Sequence, residues 1–126
     1  MKKIITSKHF TESEFNKCNP SCSLQDMEQD FMDKMDALRD LCGVPLVINC
    51  AYRSVEWDKA KGRSGDGDHP NRRGIDIRCS FNNSATRWKI ITNAHKVGLN
   101  RIGIAKSFIH VGDTPHKAQD VVWMYQ

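Results

Sequence analysis

The sequence predicts a single α+β domain in which helices accompany a mostly antiparallel sheet. The first part of the chain carries apolar residues at helical spacing, whereas later segments are short, rich in branched apolar residues and separated by turns. This order, helices first and then strands mixed with one more helix, is typical of an α+β fold. The 126 residues suit one domain, 1–126, with one hydrophobic core.

Two segments near the N-terminus predict helices. Thr11 followed by Glu14 forms a capping-box pattern for a short helical turn. Farther along, apolar residues recur at spacings of three and four, which predicts one face of a helix that Ser23 caps and Gly43 ends. The residues of this face are Leu24, Met27, Phe31, Met35, Leu38 and Leu41.

The rest of the chain predicts short strands around one further helix. This helix begins at Ser84, presents Trp88 and Ile91 on its apolar side and ends at Gly98. The strands are recognised by their branched and aromatic residues between turn signals. They are expected over residues 45–50, 74–79, 101–105, 107–111 and 120–125.

A long polar loop leads into an acid that lies inside an apolar strand. Residues 62–74, GRSGDGDHPNRRG, contain too much Gly, Pro, Asn and Asp for regular structure. A loop of about a dozen residues suggests a function beyond connection. The loop carries His69, and Asp76 follows within Ile-Asp-Ile of the next strand. Because burying an unpaired carboxylate is costly, Asp76 needs a cationic partner.

His69 and His110 can supply that partner through a metal ion if the strands of Asp76 and His110 are neighbours. Two imidazoles and one carboxylate are sufficient ligands for a catalytic zinc, and the charge of the zinc would offset that of Asp76. The residues by themselves leave other interpretations open. His110 can be an ordinary core or surface histidine, and Asp76 can simply cap the end of the loop.

Composition and charge exclude several classes of protein. A hydrophobic content of 39% and a charged content of 27% are typical of a folded globular chain. Apolar runs stay well short of the roughly 20 residues of a membrane span, and the start lacks the apolar stretch of a secretory signal. We therefore expect a cytoplasmic product without a membrane partner. A net charge of +4 is too mild to select nucleic acid as the partner.

The cysteines predict free thiols rather than a disulfide framework. The chain has five of them, an odd number, and the sequence shows no export signal. Cys42, Cys50 and Cys79 lie in apolar contexts that are typical of buried thiols. Cys18 and Cys22 flank a turn, where a disulfide or a second metal site stays open.

Four segments stand in a fixed order along the chain: HFTESEF, PLVINCAYRS, HPNRRGIDI and GIAKSFIHV. They resemble, in turn, the opening Phe-x-x-x-Glu-Phe segment, the strand ending in Tyr-Arg-Ser, the His-x6-Asp signature and the last zinc-histidine segment of the M15 peptidases. That family comprises zinc D-alanyl-D-alanine carboxypeptidases and related peptidoglycan peptidases of bacteria and phages. The resemblance covers nearly the whole chain and implies a fold like that of D,D-peptidases and Hedgehog domains.

The resemblance also implies roles for particular residues. His69, Asp76 and His110 would bind zinc. Arg53 would face the substrate, either holding a carboxylate or stabilising the oxyanion of the tetrahedral state. Its neighbours in the Tyr-Arg-Ser match, Tyr52 and Ser54, are expected to contact the substrate.

The general base is where the sequence departs from the family. Several branches place an acid three residues before the last zinc histidine, where this chain has Ser107. Another branch reads His-Val-Asp, but here Gly112 intervenes and Asp113 comes one place later, on the other strand face unless a bulge restores it. Asp113 is the first choice for the base, and His116 and Asp68 are alternatives.

The function implied by the resemblance is hydrolysis of amide bonds in peptidoglycan stem peptides, as a D,D-carboxypeptidase or an endopeptidase. We expect a monomer that reaches the cell wall from the producing cell, as a phage endolysin does. The serine at 107 favours one alternative, a non-catalytic zinc-binding module of the same fold that acts in partner binding. A nucleic-acid module is motivated by the charge and by Arg72-Arg73, but it leaves the two histidines and Asp76 unexplained.

Overall fold

The computed structural model describes residues 3–125 and confirms the α+β class. Within these residues, four α-helices and one 3-10 turn accompany a sheet of five strands. The helical elements are α1 (Glu12–Asn16), the 3-10 turn (Leu24–Asp26), α2 (Gln29–Cys42), α3 (Val55–Ala60) and α4 (Ser84–Lys96). The strands are β1 (Ile48–Cys50), β2 (Gly74–Arg78), β3 (Arg101–Ile104), β4 (Phe108–Gly112) and β5 (Val121–Met124).

The strands form one sheet in the order β1-β2-β4-β3-β5. The pairs β1–β2, β2–β4 and β3–β4 are antiparallel, whereas β3 and β5 are parallel, so the sheet is mixed. One row of register partners crosses all five strands: Cys50, Asp76, His110, Gly103 and Trp123. Partners in such a row point their side chains to the same sheet face.

The two faces of the sheet have different chemistry. Ile75 and Ile77 of β2 and Ile109 and Val111 of β4 are fully buried in the hydrophobic core, which also contains residues of α2 and α4. Because side chains alternate along a strand, the residues between them, including Asp76, lie on the opposite face. Helices α2 and α4 therefore cover one face, and the polar row lies on the other.

The first long helical segment is interrupted where the sequence predicts one continuous helix. Ser23 does cap a helical turn, but that turn is a short 3-10 helix, and the extended backbone of Met27 separates it from α2. Gly43 ends α2 with a left-handed conformation, φ 67°, as expected for a C-terminal glycine. Leu41, predicted on the buried face, is instead 52% exposed, because the last turn of α2 buries Cys42 in its place.

The remaining helices show two further differences from the sequence prediction. In α4 the buried residues are Ile90 and Ala94, while Trp88, expected on the apolar side, is 71% exposed. The short helix α3 was not predicted, and the strand expected over 45–50 is regular only in β1. Throughout residues 3–125, none of the helices combines the length and apolar character needed to cross a membrane.

Candidate metal centre

His69 is held in one orientation by the backbone. It lies near the end of the loop between α3 and β2 and is buried. Its Nδ1 lies 2.5 Å from the carbonyl oxygen of Ala51. Since a carbonyl only accepts, Nδ1 donates the hydrogen bond and Nε2 is the nitrogen that faces the sheet. Nε2 lies 3.2 Å from Oδ1 of Asp76.

His110 meets the same carboxylate oxygen from the next strand. Asp76 and His110 are register partners on β2 and β4, and Nδ1 of His110 lies 2.9 Å from Oδ1 of Asp76. The rings of His69 and His110 are edge to face, with centroids 4.9 Å apart. The structure therefore brings together the three residues that the sequence analysis expected to bind zinc.

A second aspartate, Asp68, holds the far side of His110. Nε2 of His110 donates to Oδ2 of Asp68 at 2.7 Å, and Nε of Arg101 donates to Oδ1 at 3.0 Å. The backbone N–H of Thr114 also donates to Oδ1. The sequence named Asp68 only as an alternative base. Its hydrogen-bonding partners lie far away along the chain, so no local pattern indicated them.

Burial and the neighbouring charged groups shift the pKa values of this cluster in opposite directions. Burial raises the pKa of Asp68 and of Asp76, but hydrogen bonds from His110, and for Asp76 also from His69, outweigh it and leave both pKa values well below the usual range. Burial lowers the pKa of both histidines, yet their contacts with the carboxylates raise each pKa overall. Without a metal, the cluster therefore favours charged carboxylates and protonated imidazoles.

The donor set fits a zinc ion. Nε2 of His69 and Nδ1 of His110 each contact Oδ1 of Asp76. The other nitrogen of each ring is already bound, to the carbonyl of Ala51 and to Asp68. Metal-binding histidines characteristically anchor their second nitrogen on a carbonyl or a carboxylate. Two histidines with one carboxylate form a known catalytic zinc set.

Cys50 adds a second possible ligand set. Ligand atoms of Cys50, His69 and Asp76 all lie within 4.8 Å of one another. The Sγ atom of Cys50 lies 3.8 Å from Nδ1 of His69, which is the nitrogen bound to Ala51 rather than the one facing Asp76. We therefore favour His110 as the third ligand. The sequence analysis missed Cys50, although its place at the end of a strand next to Tyr-Arg-Ser could have indicated it.

Arg53 lies beside this centre. Its Nη1 is 3.9 Å from Sγ of Cys50, its guanidinium stacks over Trp57 at 5.7 Å, and Nε lies 3.4 Å from Oδ1 of the buried Asp58. The guanidinium is thus fixed between the candidate centre and α3. A cation held in this way can bind an anionic group that approaches the centre.

The two neighbours of Arg53 have other contacts. The hydroxyl of Ser54 accepts a hydrogen bond from the backbone N–H of Trp57 at 3.0 Å and caps α3. The ring of Tyr52 is covered by the guanidinium of Arg72, 4.5 Å from its centroid. Both side chains therefore have structural partners, and their expected contact with substrate stays a prediction.

Two of the expected bases have their contacts outside the centre. The carboxylate of Asp113 is buried and bonds to Lys34 of α2 at 2.5 Å and to Nε of Arg73 at 2.7 Å. Since Gly112 shares the face of His110, alternation sends Asp113 to the helix-covered side. Among the described residues 3–125, the Asp113 carboxylate therefore contacts those two cations and not the candidate metal ligands. His116 is exposed and lies 2.9 Å from Oδ1 of Asp66.

The turn between Cys18 and Cys22 holds free thiols. All five cysteines are free, and the metal-type group found among residues 3–125 does not include this pair. The Sγ atoms of Cys18 and Cys22 donate to the carbonyls of Glu14 and Phe15. The two thiols therefore tie the turn to backbone carbonyls of α1.

The small α+β domain thus places two anchored histidines and a carboxylate together on one face of its sheet, a donor set of the kind that can hold one metal ion. Residues 8–112 match the family model described as Peptidase M15, and the chain belongs to that family. The resemblance drawn from four sequence segments is thereby confirmed, and membership supports a hydrolase of the peptidase type. No curated protein matches the chain.

Proposed function

We propose that this protein is a zinc-dependent peptidase that hydrolyses amide bonds in peptidoglycan stem peptides. One observation carries the proposal: Nε2 of His69 and Nδ1 of His110 converge on Oδ1 of Asp76 while their other nitrogens are anchored. A pair of histidines that only filled the core would not need both rings oriented onto one oxygen. Membership of a peptidase family supports the reaction type.

The chain's own residues would divide the work of the reaction. When bound, zinc supplies a Lewis acid that polarises the scissile carbonyl and acidifies the attacking water. Arg53, held between Cys50 and Trp57, would bind the substrate carboxylate or the developing oxyanion. Lys61 and Arg63 also lie over the Trp57 ring, at 5.2 and 5.9 Å, and extend this positive surface.

The contacts of the three expected bases limit which of them can accept the proton from the attacking water. Asp68 is bound by His110 and Arg101, and Asp113 by Lys34 and Arg73, so each carboxylate is engaged by cations. His116 is exposed to solvent. It pairs with Asp66, which belongs to the loop that carries His69. These contacts leave the proton acceptor unassigned, and substitution of His116 tests the exposed candidate.

A stem peptide fits the positive surface because its chain end and side chains carry carboxylates. A terminal D-Ala-D-Ala bond and an internal cross-link or L-Ala-D-Glu bond are both consistent with Arg53. The test is mass spectrometry of defined muropeptides incubated with zinc-loaded protein, with Asp76→Ala as the inactive control. Products that appear only with the wild type, and only with zinc, support the proposal, and intact substrates at several pH values contradict it.

The proposal extends to where the protein works. We infer a monomer that is made in the cytoplasm and acts on the cell wall after release, as an endolysin of phage type, without nucleic-acid or membrane partners. Addition of the protein to purified cell walls and to intact cells separates release-dependent action from action at the surface. Lysis of walls but not of intact cells is the expected result.

The alternative is a zinc-binding module of the same fold that binds a partner without hydrolysis. The position of Cys50 favours this alternative, because a thiolate close to His69 and Asp76 could complete four protein ligands and close the site. Stoichiometric zinc with no product from any muropeptide would support the module. Absence of zinc would contradict both functions.

A further inference from the structure

We propose that Asp68 is a positioning residue, which fixes His110 so that Nδ1 rather than Nε2 faces the metal. The inference rests on the proposed zinc site and adds a residue that the ligand set does not include. An imidazole can bind a metal through either nitrogen, and the hydrogen bond of the other nitrogen decides which. In this chain, Asp68 makes that hydrogen bond.

Both oxygens of Asp68 accept hydrogen bonds. Oδ2 accepts from Nε2 of His110 at 2.7 Å, and Oδ1 accepts from the N–H of Thr114 at 3.2 Å. Nε of Arg101 lies 3.0 Å from Oδ1 and 3.2 Å from Oδ2. The side chain of Asp68 is 1% exposed. A carboxylate with both oxygens engaged cannot rotate without breaking one set of bonds, so the acceptor for His110 is fixed in place.

The sheet also leaves room for this carboxylate. Gly74 and Gly112 are register partners on β2 and β4, and Asp68 packs over both of them. A Cβ atom at Gly74 would lie 2.7 Å from Cβ of Asp68, and one at Gly112 would overlap the carboxylate group. Two facing glycines thus form a notch that the Asp68 side chain fills.

Arg101 anchors the arrangement from the opposite side. Its Nη1 donates to the carbonyl of Ala118 at 2.6 Å, and its guanidinium lies 5.4 Å from the centroid of Trp123. The Trp123 ring in turn lies 5.3 Å from the ring of His110. The cation that neutralises Asp68 is therefore itself immobile, and the orientation of His110 depends on a connected set of buried contacts.

The primary test is Asp68→Asn. An amide offers one acceptor oxygen, so either His110 or the N–H of Thr114 must face an NH2 group. We expect zinc affinity, measured by competition with a chromophoric chelator, to fall about 10- to 100-fold. The absorption spectrum of the cobalt-substituted protein should change as well, because the geometry of the His110 ligand is no longer fixed. Unchanged affinity together with an unchanged spectrum overturns the inference.

Two further variants separate positioning from general destabilisation. Gly112→Ala displaces the Asp68 carboxylate by volume alone, with every charge kept, and should lower zinc affinity in the same direction. Asp113→Asn is the matched control, because Asp113 is also buried and bound to two cations but lies on the helix side of the sheet. It should keep wild-type zinc affinity, and an equal loss of affinity in this control would overturn the inference.

A measurement on the wild-type protein covers the case in which Asp68→Asn does not fold. Nitrogen-15 NMR of the zinc-loaded protein should show the His110 ring protonated at Nε2. Protonation at Nδ1 overturns the inference while the zinc site stands. Zinc absent from the wild type overturns the proposed function and this inference together, so the two failures are distinguishable.

Discussion

Asp76 and His110 face each other across β2 and β4, with Oδ1 of Asp76 2.9 Å from Nδ1 of His110. The backbone ladder between these strands sets this distance, so two of the three expected ligands are placed by the sheet itself. The third, His69, comes from a loop and is oriented by the carbonyl of Ala51. A rigid pair and an anchored loop residue together form a preorganised centre.

The first prediction concerns the loss of Asp76. Asp76→Ala removes the oxygen on which both histidines converge, so the protein should no longer hold stoichiometric zinc. In the wild type, free zinc at 100 times its dissociation constant should raise the free energy of unfolding by about 2.7 kcal/mol, and this gain should be absent in the variant. Elemental analysis and denaturant melts measure both effects. Purified Asp76→Ala with one zinc per chain would show that Asp76 is not a ligand.

The second prediction decides the role of Cys50. Because Nδ1 of His69 is bound to Ala51, we expect His69, Asp76 and His110 to be the ligands and Cys50 to stay outside the metal's coordination. The cobalt-substituted protein should then lack the intense near-ultraviolet band of a thiolate ligand, and Cys50→Ser should leave the spectrum unaltered. A thiolate band that disappears in Cys50→Ser would support the four-ligand module instead.

The third prediction concerns Asp113 and its two cations. Asp113→Asn leaves Lys34 and Arg73 without their buried acceptor, and we expect the free energy of unfolding to fall by about 1.5–3 kcal/mol. Denaturant melts measure this loss, and zinc content should be retained. Asp113→Glu, which keeps the charge, should lose less stability. If folded, zinc-loaded Asp113→Asn lost turnover, the sequence-based assignment of Asp113 as the base would be supported over the structural one.

The fourth prediction concerns His116. If its exposed imidazole accepts the proton, His116→Asn should retain zinc and stability but lower turnover by about 100-fold or more. The matched control is His95→Asn, another exposed histidine, on α4. Turnover rates of the zinc-loaded variants on one muropeptide measure the effect. Wild-type turnover in His116→Asn would exclude it as the base.

The sequence could predict the pieces of the site that depend on local pattern. His69 in a polar loop and Asp76 inside an apolar strand are visible from composition and alternation alone. Asp68 could not be assigned its role, because its partners Arg101 and His110 lie 33 and 42 residues away. The sheet face to which the Asp113 side chain points depends on whether a β-bulge follows His110. No local sequence signal predicts such a bulge.

The fold shows the same division between local and long-range information. The capping box of Thr11 and Glu14 was predicted and is confirmed, since both of its hydrogen bonds join residues three apart. The helix break at Met27 was not predicted, because the apolar spacing continues through it. What fixes the break includes a contact with the distant loop, in which the N–H of Glu28 donates to the carbonyl of Arg72. The parallel pairing of β3 with β5 likewise depends on where the chain returns after β4.

The last prediction is that metal binding reverses the pH dependence of the protein's folding stability. In the metal-free protein, contacts with Asp76, and for His110 also with Asp68, outweigh burial and raise the pKa values of His69 and His110. The folded state then binds more protons than the unfolded state above the unfolded pKa of about 6.5. This stabilisation is complete below that pH and is lost as pH rises through the folded pKa values, with a slope of at most about 1.4 kcal/mol per pH unit for each histidine.

Zinc changes the sign of this dependence because it requires both imidazoles deprotonated. Metal-free protein should therefore melt at a lower temperature as pH rises above about 6.5, whereas the increase in melting temperature caused by zinc should grow over the same range. Asp76→Ala, which removes the carboxylate shared by both histidines, should flatten the metal-free dependence. Calorimetry with and without a chelator measures all three. Metal-free wild type that gains stability with rising pH would show that the histidines are neutral in the cluster.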